Sequence, residues 1–309
     1  MSELQTVGID IGRGYTKVYT EKDGVAYSDI FKSVVALGRE LEWEKYSKPM
    51  FLDATLGGIN FKTVFCGELA EKEGFAPIRN SKDSKVTDTV KKLFLGALSC
   101  VPLEDKINVV LGVPNREWNK SNLNAVIEAY KGKTIEITDH ANKRVKKTFI
   151  NDITIFKESD AALLYHVQYN KPNNTNDNVM VNIGFRTTEI SYYDNNLKYN
   201  DKKSKSLELG NQTVLEFVQK QHPKRTLEEI DSSNRYEELK EAGYNMLAEN
   251  IDQLVESILV NLDEINLFAC GGVVNKINLP EKFKKVDDPQ MITAKGLFLV
   301  GEKKFKGGI

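Results

Sequence analysis

The 309-residue sequence has little sulfur, little histidine and almost no net charge, and each scarcity excludes something. Its three cysteines, Cys66, Cys100 and Cys270, stand far apart with no paired spacing. They read as buried thiols in a reducing compartment, not as a disulfide framework. The three histidines, His140, His166 and His222, are equally scattered and lack the spacing of a zinc site. A formal charge of -1 lacks the basic excess of a dedicated nucleic-acid binder. No apolar run approaches the roughly 18 residues of a membrane span. Residues 1–6 are polar and lead directly into a strand pattern instead of a signal peptide. The expectation is a cytoplasmic protein without a membrane partner. What remains is ordinary: 40% hydrophobic residues, and a length that suits about two domains, each with its own core.

The chain is organised around residues 7–19. Val7, Ile9 and Ile11 alternate as a buried strand does, and Val18 and Tyr19 suit a strand returning beside it. Between them lie Asp10, Gly12, Arg13, Gly14, Tyr15, Thr16 and Lys17. Glycine lets backbone N–H groups approach phosphate oxygens closely, while Thr16 and Lys17 add donors and positive charge. Asp10, at the strand end, can order the water shell of a magnesium ion. The stretch is neither a Walker A motif nor the dinucleotide fingerprint, because no helix follows it and the glycine spacing differs. Taken alone it equally suits an ordinary glycine-rich hairpin.

Residues 51–59 and 60–66 read as strands joined at Gly57-Gly58. Residues 67–70 start a helical patch, and 88–98 fit a buried helix. The apolar strand 107–113 runs into Gly112-Val113-Pro114, after which Ser121 is expected to cap a helix over 122–130. Short strands at 134–138 and 145–150 flank a basic turn, and a helix covers 158–168. The opening pattern then returns at 179–193: an apolar strand, Asn182, Ile183-Gly184, a turn with hydroxyls, and an apolar strand. A repeat at this separation implies two related halves. Two such turns facing one another would grip a phosphate chain from both sides. Helices are expected over 212–219, in the charged stretch 227–241, and along the amphipathic stretch 247–262. The strand 265–270 ends at Gly271-Gly272, before an expected helix. Paired glycines there suit a nucleotide's base and sugar, since ligands of open α/β sheets sit at that edge, although a plain turn also fits. A last helix is expected over 289–300.

Loop one (Asp10-Ile-Gly-Arg-Gly-Tyr-Thr-Lys17), loop two (residues 182–189) and Gly271-Gly272 together resemble the actin, sugar kinase and heat-shock ATPase superfamily, over nearly the whole chain. Within it, Cys66-Gly67-Glu68-Leu69-Ala70, Gly112-Val113-Pro114, Ile183-Gly184-Phe185-Arg186-Thr187-Thr188 and the ending from Asp288-Pro289-Gln290 to Phe298 resemble the ParM-like bacterial and archaeal actin-like proteins that segregate plasmids. The resemblance implies an α/β, actin-like (ribonuclease H-like) two-domain fold with duplicated mixed sheets flanked by helices. Domain I would comprise residues 1–157 plus 290–309, and domain II residues 158–289.

The resemblance further implies an ATP- or GTP-hydrolysing, magnesium-dependent protein that polymerises head to tail. Asp10 and Glu158 would be catalytic, with Glu158 orienting the attacking water. An acid at a helix N-terminus also has a plain reading, as a partner of the macrodipole. Gly12, Arg13, Gly14, Tyr15, Thr16 and Lys17 would hold phosphates from one side, and Gly184, Phe185, Arg186 and Thr187 from the other. Arg186 equally reads as an exposed cation. Glu208, Gly210, Gly271, Gly272 and Val273 would meet the nucleoside. Asp10 and Asn182 would hold Mg2+ through water. Asn182 departs from the family's Asp: its amide accepts a hydrogen bond but adds no negative charge.

The implied partners are further copies of the chain in a filament and a DNA-binding adaptor linking it to plasmid DNA, without direct DNA contact. The basic stretches 143–147, 202–205 and 303–306 are candidate filament surfaces, or solvated faces. Competing expectations are a small-molecule kinase of the same fold and a non-polymerising nucleotide-binding scaffold.

Overall fold

The computed structural model describes residues 4–41 and 48–307. The polar start at residues 1–3 lies outside them. The chain divides into two compact units, Met1–Ala161 with Thr293–Ile309, and Ala162–Ile292.

The first unit is built on a ten-stranded mixed sheet. Strands β1 (Gln5–Ile11), β2 (Tyr15–Lys22) and β3 (Val25–Lys32) form an antiparallel meander. On its other side β1 pairs in parallel with β8 (Lys106–Val113), and β8 with β10 (Arg144–Lys157). The sheet continues antiparallel through β9 (Thr134–Asp139), β5 (Met50–Leu56), β6 (Ile59–Cys66), β4 (Val34–Leu37) and β7 (Phe75–Arg79).

Strands buried on both faces read as continuous apolar runs, which is why Val109, Val110 and Leu111 are all fully buried. One face carries α2 (Asp88–Cys100), whose Val90, Leu93, Phe94 and Leu98 join Val7, Ile9 and Leu111 in one core. The other receives α8 (Ile292–Phe305): a Cβ on Gly8 would stand 2.3 Å from Ala294 O and 2.5 Å from Phe298 N. Only a residue without a side chain permits that approach. Helices α1 (Glu68–Glu73) and α3 (Lys120–Tyr130) complete the unit, and α4 (Glu158–Asn170) begins at its last strand.

The second unit repeats the arrangement on a smaller scale. Strand β11 (Asp177–Ile183) pairs antiparallel with β12 (Thr188–Tyr193) and parallel with β14 (Ile265–Cys270), as β1 does with β2 and β8. Short strands β13 (Lys205–Leu207) and β15 (Lys284–Lys285) close the five-stranded order β13-β12-β11-β14-β15. Helices α5 (Asn211–Gln221), α6 (Leu227–Ser232) and α7 (Glu237–Ile258) follow. Val179, Val181, Ile183 and Ile190 pack with Leu247, Ile251 and Val255 on one side, and Met180, Phe268 and Cys270 with Ala162 and Leu163 on the other. The duplicated mixed sheets expected from the sequence are present.

Several local expectations are corrected. Helix α3 starts at Lys120, because the Asn119 side chain, not Ser121, caps it by accepting from Asn122 N. The charged stretch 227–241 is helical as expected, in pieces: α6 ends at Ser232, a 3-10 turn covers Asn234–Tyr236, and α7 starts at Glu237. Helix α7 ends at Ile258, leaving Leu262 in the short 3-10 helix Leu262–Glu264. Turns, not a helix, follow Gly272. Gly271 sits at φ +104, and Val273 N donates to Ile183 O at 3.3 Å, which ties the segment back to β11 instead of into a helical ladder. No helix among the described residues is long and apolar enough to cross a membrane.

Candidate functional site

In the first unit, β1 carries Asp10 to the β1–β2 turn, where Asp10 pairs in register with Lys17 and Ile11 with Thr16. Directly opposed residues of an antiparallel pair share a face. Lys17 Nζ accordingly donates to Asp10 Oδ2 at 2.7 Å, with both side chains mostly buried. The other oxygen, Oδ1, is buried with no hydrogen-bond partner among the described residues. The turn closes through Gly12 N donating to Tyr15 O at 3.1 Å, and Ser33 N donates to Gly14 O at 2.9 Å.

Thr16 faces the interior, fully buried, its hydroxyl 2.9 Å from Ser33 Oγ. This places the Thr16 side chain in the fold, not at the open side of the turn. Tyr15 is exposed, and Arg13 donates to Asp83 at 2.8 Å.

Glu158 opens α4 where β10 ends, and register pairs Lys157 with Val113 of β8. Its side chain lies over Gly112, where a Cβ would stand 2.9 Å from Glu158 Cγ. Lys85 Nζ lies 3.5 Å from Glu158 Oε1 and donates to Ile11 O at 2.8 Å. Burial and the negative charge of Asp10 push the Glu158 carboxyl up to about 7, against the opposing pull of Lys85 and Lys17. Two acids and two ammonium groups thus meet in this unit.

The second unit holds a matching turn. Asn182 pairs with Glu189 and Ile183 with Thr188, and Gly184 N donates to Thr187 O at 2.9 Å, as Gly12 does to Tyr15. Glu189 therefore occupies the register position of Lys17, on the same face as Asn182, and it is buried. The carboxylate absent at 182 stands on the opposite strand.

The backbone of this turn is held by α5. Asn211 N donates to Gly184 O at 3.3 Å and Gln212 N to Phe185 O at 2.7 Å. A Cβ on Gly210 would stand 2.6 Å from Gly184 O. Gly210 is thus small to seat α5 against the turn. The Phe185 ring packs with Leu215 and Val218, so this residue presents only backbone to the turn's open side. Arg186 and Glu208, expected at phosphate and nucleoside respectively, are ion-paired to each other.

Gly271 is required by its φ and by space, since a Cβ would stand 2.3 Å from Ile183 O and 2.6 Å from Asn182 Oδ1. Gly272 is open, its closest neighbour being the Gln290 amide at 3.5 Å from a would-be Cβ. Val273 belongs to the core.

The structure thus brings Asp10, Gly12 and Lys17 together with Glu158 in the first unit, and Asn182, Gly184 and Gly271 together in the second. Sequence reasoning missed Lys85, Asp83 and Gly112 as neighbours of these groups. Gly112 had a signal, a glycine at the end of an apolar strand beside the expected helix of Glu158. Lys85 had none, lying in a polar stretch that reads as solvated.

Residues 8–159 match the sequence profile of the family described as Actin like proteins N terminal domain. The match spans just under half of the chain. The whole chain has the actin-like fold of the ParM-like proteins. An archaeal actin homolog, Ta0583, is 19% identical with a TM-score of 0.77, covering 97% of this chain and 100% of its own. The pSK41 ParM protein in its apo form is 18% identical with a TM-score of 0.72, covering 99% of both chains. A ParM from Clostridium botulinum, solved as a 15-stranded filament, is 19% identical with a TM-score of 0.77, covering 97% of this chain and 99% of its own. No curated protein matches the sequence. At these identities the structural likeness establishes the fold, and the chemistry rests on the residues themselves.

Proposed function

We propose that the protein is a nucleoside triphosphatase that assembles into filaments, with the β1–β2 and β11–β12 turns as its two phosphate loops. The observation that carries this reading is the repeated hairpin. The same register, turn length and glycine bond recur in both units, with polar side chains at equivalent positions. A fold kept for structure alone has no need of two such turns, each with a glycine at the same place. In this reading residues 1–157 with 290–309 act as domain I and residues 158–289 as domain II. The archaeal homolog has also been solved in complex with ADP, which supports nucleotide as the ligand.

The residues fit a hydrated magnesium ion. Asp10 offers a buried, hard oxygen with no donor on it among the described residues, and in this proposal Asn182 would add an amide oxygen. When bound, magnesium supplies positive charge against the phosphate oxygens. Lys17 holds one oxygen of Asp10 and so fixes the carboxylate's plane, leaving Oδ1 for an ordered water. Backbone N–H groups of each turn other than those of Gly12 and Gly184, which close the turns, would donate to the phosphates, and Glu158 would orient the attacking water and accept its proton at a carboxylate oxygen. Raised to about 7, the Glu158 carboxyl is matched to proton transfer near neutral pH.

The likeness to the ParM structures, one of which is itself a filament, supports assembly of this chain into filaments; the plasmid-segregating role, the DNA-binding adaptor and the cytoplasmic setting are further parts of this proposal. The test is light scattering and sedimentation with phosphate release, using ATP, GTP and non-hydrolysable analogues, with magnesium and with chelator. Nucleotide- and magnesium-dependent scattering that sediments, together with phosphate release, is the expected result. Turnover only on addition of a sugar or other acceptor would make the protein a kinase. Nucleotide binding with neither turnover nor scattering would make it a scaffold.

A further inference from the structure

Residues 80–85 join β7 to α2 and read in sequence as an ordinary polar connection, Asn80-Ser81-Lys82-Asp83-Ser84-Lys85. Three of their side chains instead grip three consecutive residues of the first turn. Lys85 Nζ donates to Ile11 O at 2.8 Å, Asn80 Nδ2 to Gly12 O at 3.3 Å, and Asp83 accepts from Arg13 at 2.8 Å. Asp83 also accepts from Arg116 at 2.7 Å, and its two guanidinium partners hold its carboxyl below the usual range against the opposing effect of burial.

Lys85 goes further than the other two. It is 6% exposed, and its ammonium also lies 3.5 Å from Glu158 Oε1. Its backbone is fixed from the far side, because the Tyr130 hydroxyl donates to Lys85 O at 2.6 Å and Tyr130 is fully buried. A buried ammonium persists only where its acceptors are in place. Here the acceptors are the carbonyl next to Asp10 and the carboxylate that opens α4.

We propose that Lys85 is a positioning residue that ties the Asp10-bearing turn to Glu158, so that the two acids keep one mutual geometry during hydrolysis. The proposal rests on the nucleotide-hydrolysing reading above. Lys85 touches no reacting atom in this scheme: it acts through Glu158. A lysine that merely plugged the turn would lower the melting temperature and leave hydrolysis equally dependent on Glu158 with or without it.

The experiment is a double-mutant cycle on the full chain with Lys85→Met, Glu158→Gln and the pair. It reads the single-turnover rate with whichever magnesium nucleotide the wild type hydrolyses, and affinity for its non-hydrolysable analogue. Lys85→Met is expected to slow the chemical step on the order of 100-fold, as small misplacements of a reacting group do, with analogue affinity changed less than about threefold. In the Glu158→Gln background the same change should alter the rate by less than about twofold. Lys85→Arg, keeping the charge, should recover part of the loss. If Lys85→Met does not fold, Lys85→Gln takes its place in the cycle. Losses that multiply in the double variant, or a loss confined to affinity, overturn the proposal and leave the hydrolytic reading standing. A wild-type protein that hydrolyses no nucleotide overturns both.

Discussion

Lys17 Nζ sits 2.7 Å from Asp10 Oδ2 across the first hairpin, while Asp10 Oδ1 is buried and accepts from no donor among the described residues. Half of the carboxylate is therefore committed to the fold and half to whatever the turn binds. An oxygen buried without a partner is unfavourable by about 1–3 kcal/mol, an arrangement that persists where a ligand satisfies it.

Asp10→Ala should abolish magnesium-dependent turnover. The loss expected from removing an acid that organises the charge around the phosphates is on the order of 100-fold or more. Phosphate release measured across a magnesium titration checks it, and an Asp10→Ala protein with wild-type turnover would remove Asp10 from the proposed site. Because the Lys17–Asp10 hydrogen bond is lost in this variant, the companion Asp10→Asn separates loss of charge from loss of that bond.

Glu158 makes a prediction about pH. Its carboxyl is raised from 4.5 to about 7 by burial and by Asp10, with Lys85 and Lys17 opposing. As the proton acceptor it must be ionised, so the rate at saturating nucleotide should rise with pH through about 7. Stability moves the other way. Between 4.5 and about 7 the folded chain holds a proton that the unfolded chain has lost, so the Glu158 contribution falls as pH rises through that window. Below it both states are protonated and the contribution is level. Glu158→Gln should therefore melt higher than the wild type at pH values above the window, and the gap should close below it. Melting curves across the pH series decide the matter: a gap independent of pH would mean that Glu158 is not raised.

What was legible in the sequence was what repeats or alternates. The strands on either side of both glycine turns alternate or run apolar, and so the two hairpins and the relation between the two halves could be read from residues 7–19 and 179–193; their register, which turns Thr16 inward, could not. That Glu158 opens a helix was legible in the pattern, whereas its proposed role came from the family resemblance alone. What was not legible came from groups whose roles depend on distant chain. Lys85 meets Ile11 O and Glu158 through a connection without pattern. Gly271 has a positive φ, diverting the chain from the expected helix, and its lack of a side chain is set by the closeness of Ile183 O on the neighbouring strand, a contact from distant chain. The Arg186–Glu208 pair likewise joins two residues assigned separately to phosphate and nucleoside.

Asn182→Asp tests the second turn. Asn182 shares a face with the buried Glu189 directly across the hairpin. A second carboxylate there is like-charged with the first and should lower the unfolding free energy in chelator by on the order of 1 kcal/mol, and the melting temperature with it, because opposed like charges destabilise a strand pair. Magnesium with nucleotide should offset that loss, and the magnesium concentration for half-maximal turnover should fall. Calorimetric magnesium binding and turnover, measured on both proteins, check it. Unchanged turnover and magnesium dependence would mean that residue 182 does not face the ion.

The basic turn at 143–147 was a candidate filament surface, and the structure divides it. Lys146 bends inward and donates to Val101 O at 2.7 Å and Leu98 O at 3.4 Å, and also to Ser99 O, where α2 ends. Burial pulls its ammonium below the usual lysine range. Carbonyls at a helix C-terminus lack intrahelical donors and carry the negative end of the macrodipole, so one ammonium there serves several acceptors. Lys147 instead pairs with Glu136 at 2.6 Å, both well exposed, which contributes about 0–1 kcal/mol. Lys146→Met should therefore destabilise the protein by about 2 kcal/mol, given the loss of a charged donor to buried carbonyls, whereas Lys147→Met should change stability by less than about 0.5 kcal/mol. Urea unfolding of the two variants separates them. If instead both leave unfolding unchanged, Lys146 does not cap α2, and the whole turn returns to the surface as a candidate contact between subunits.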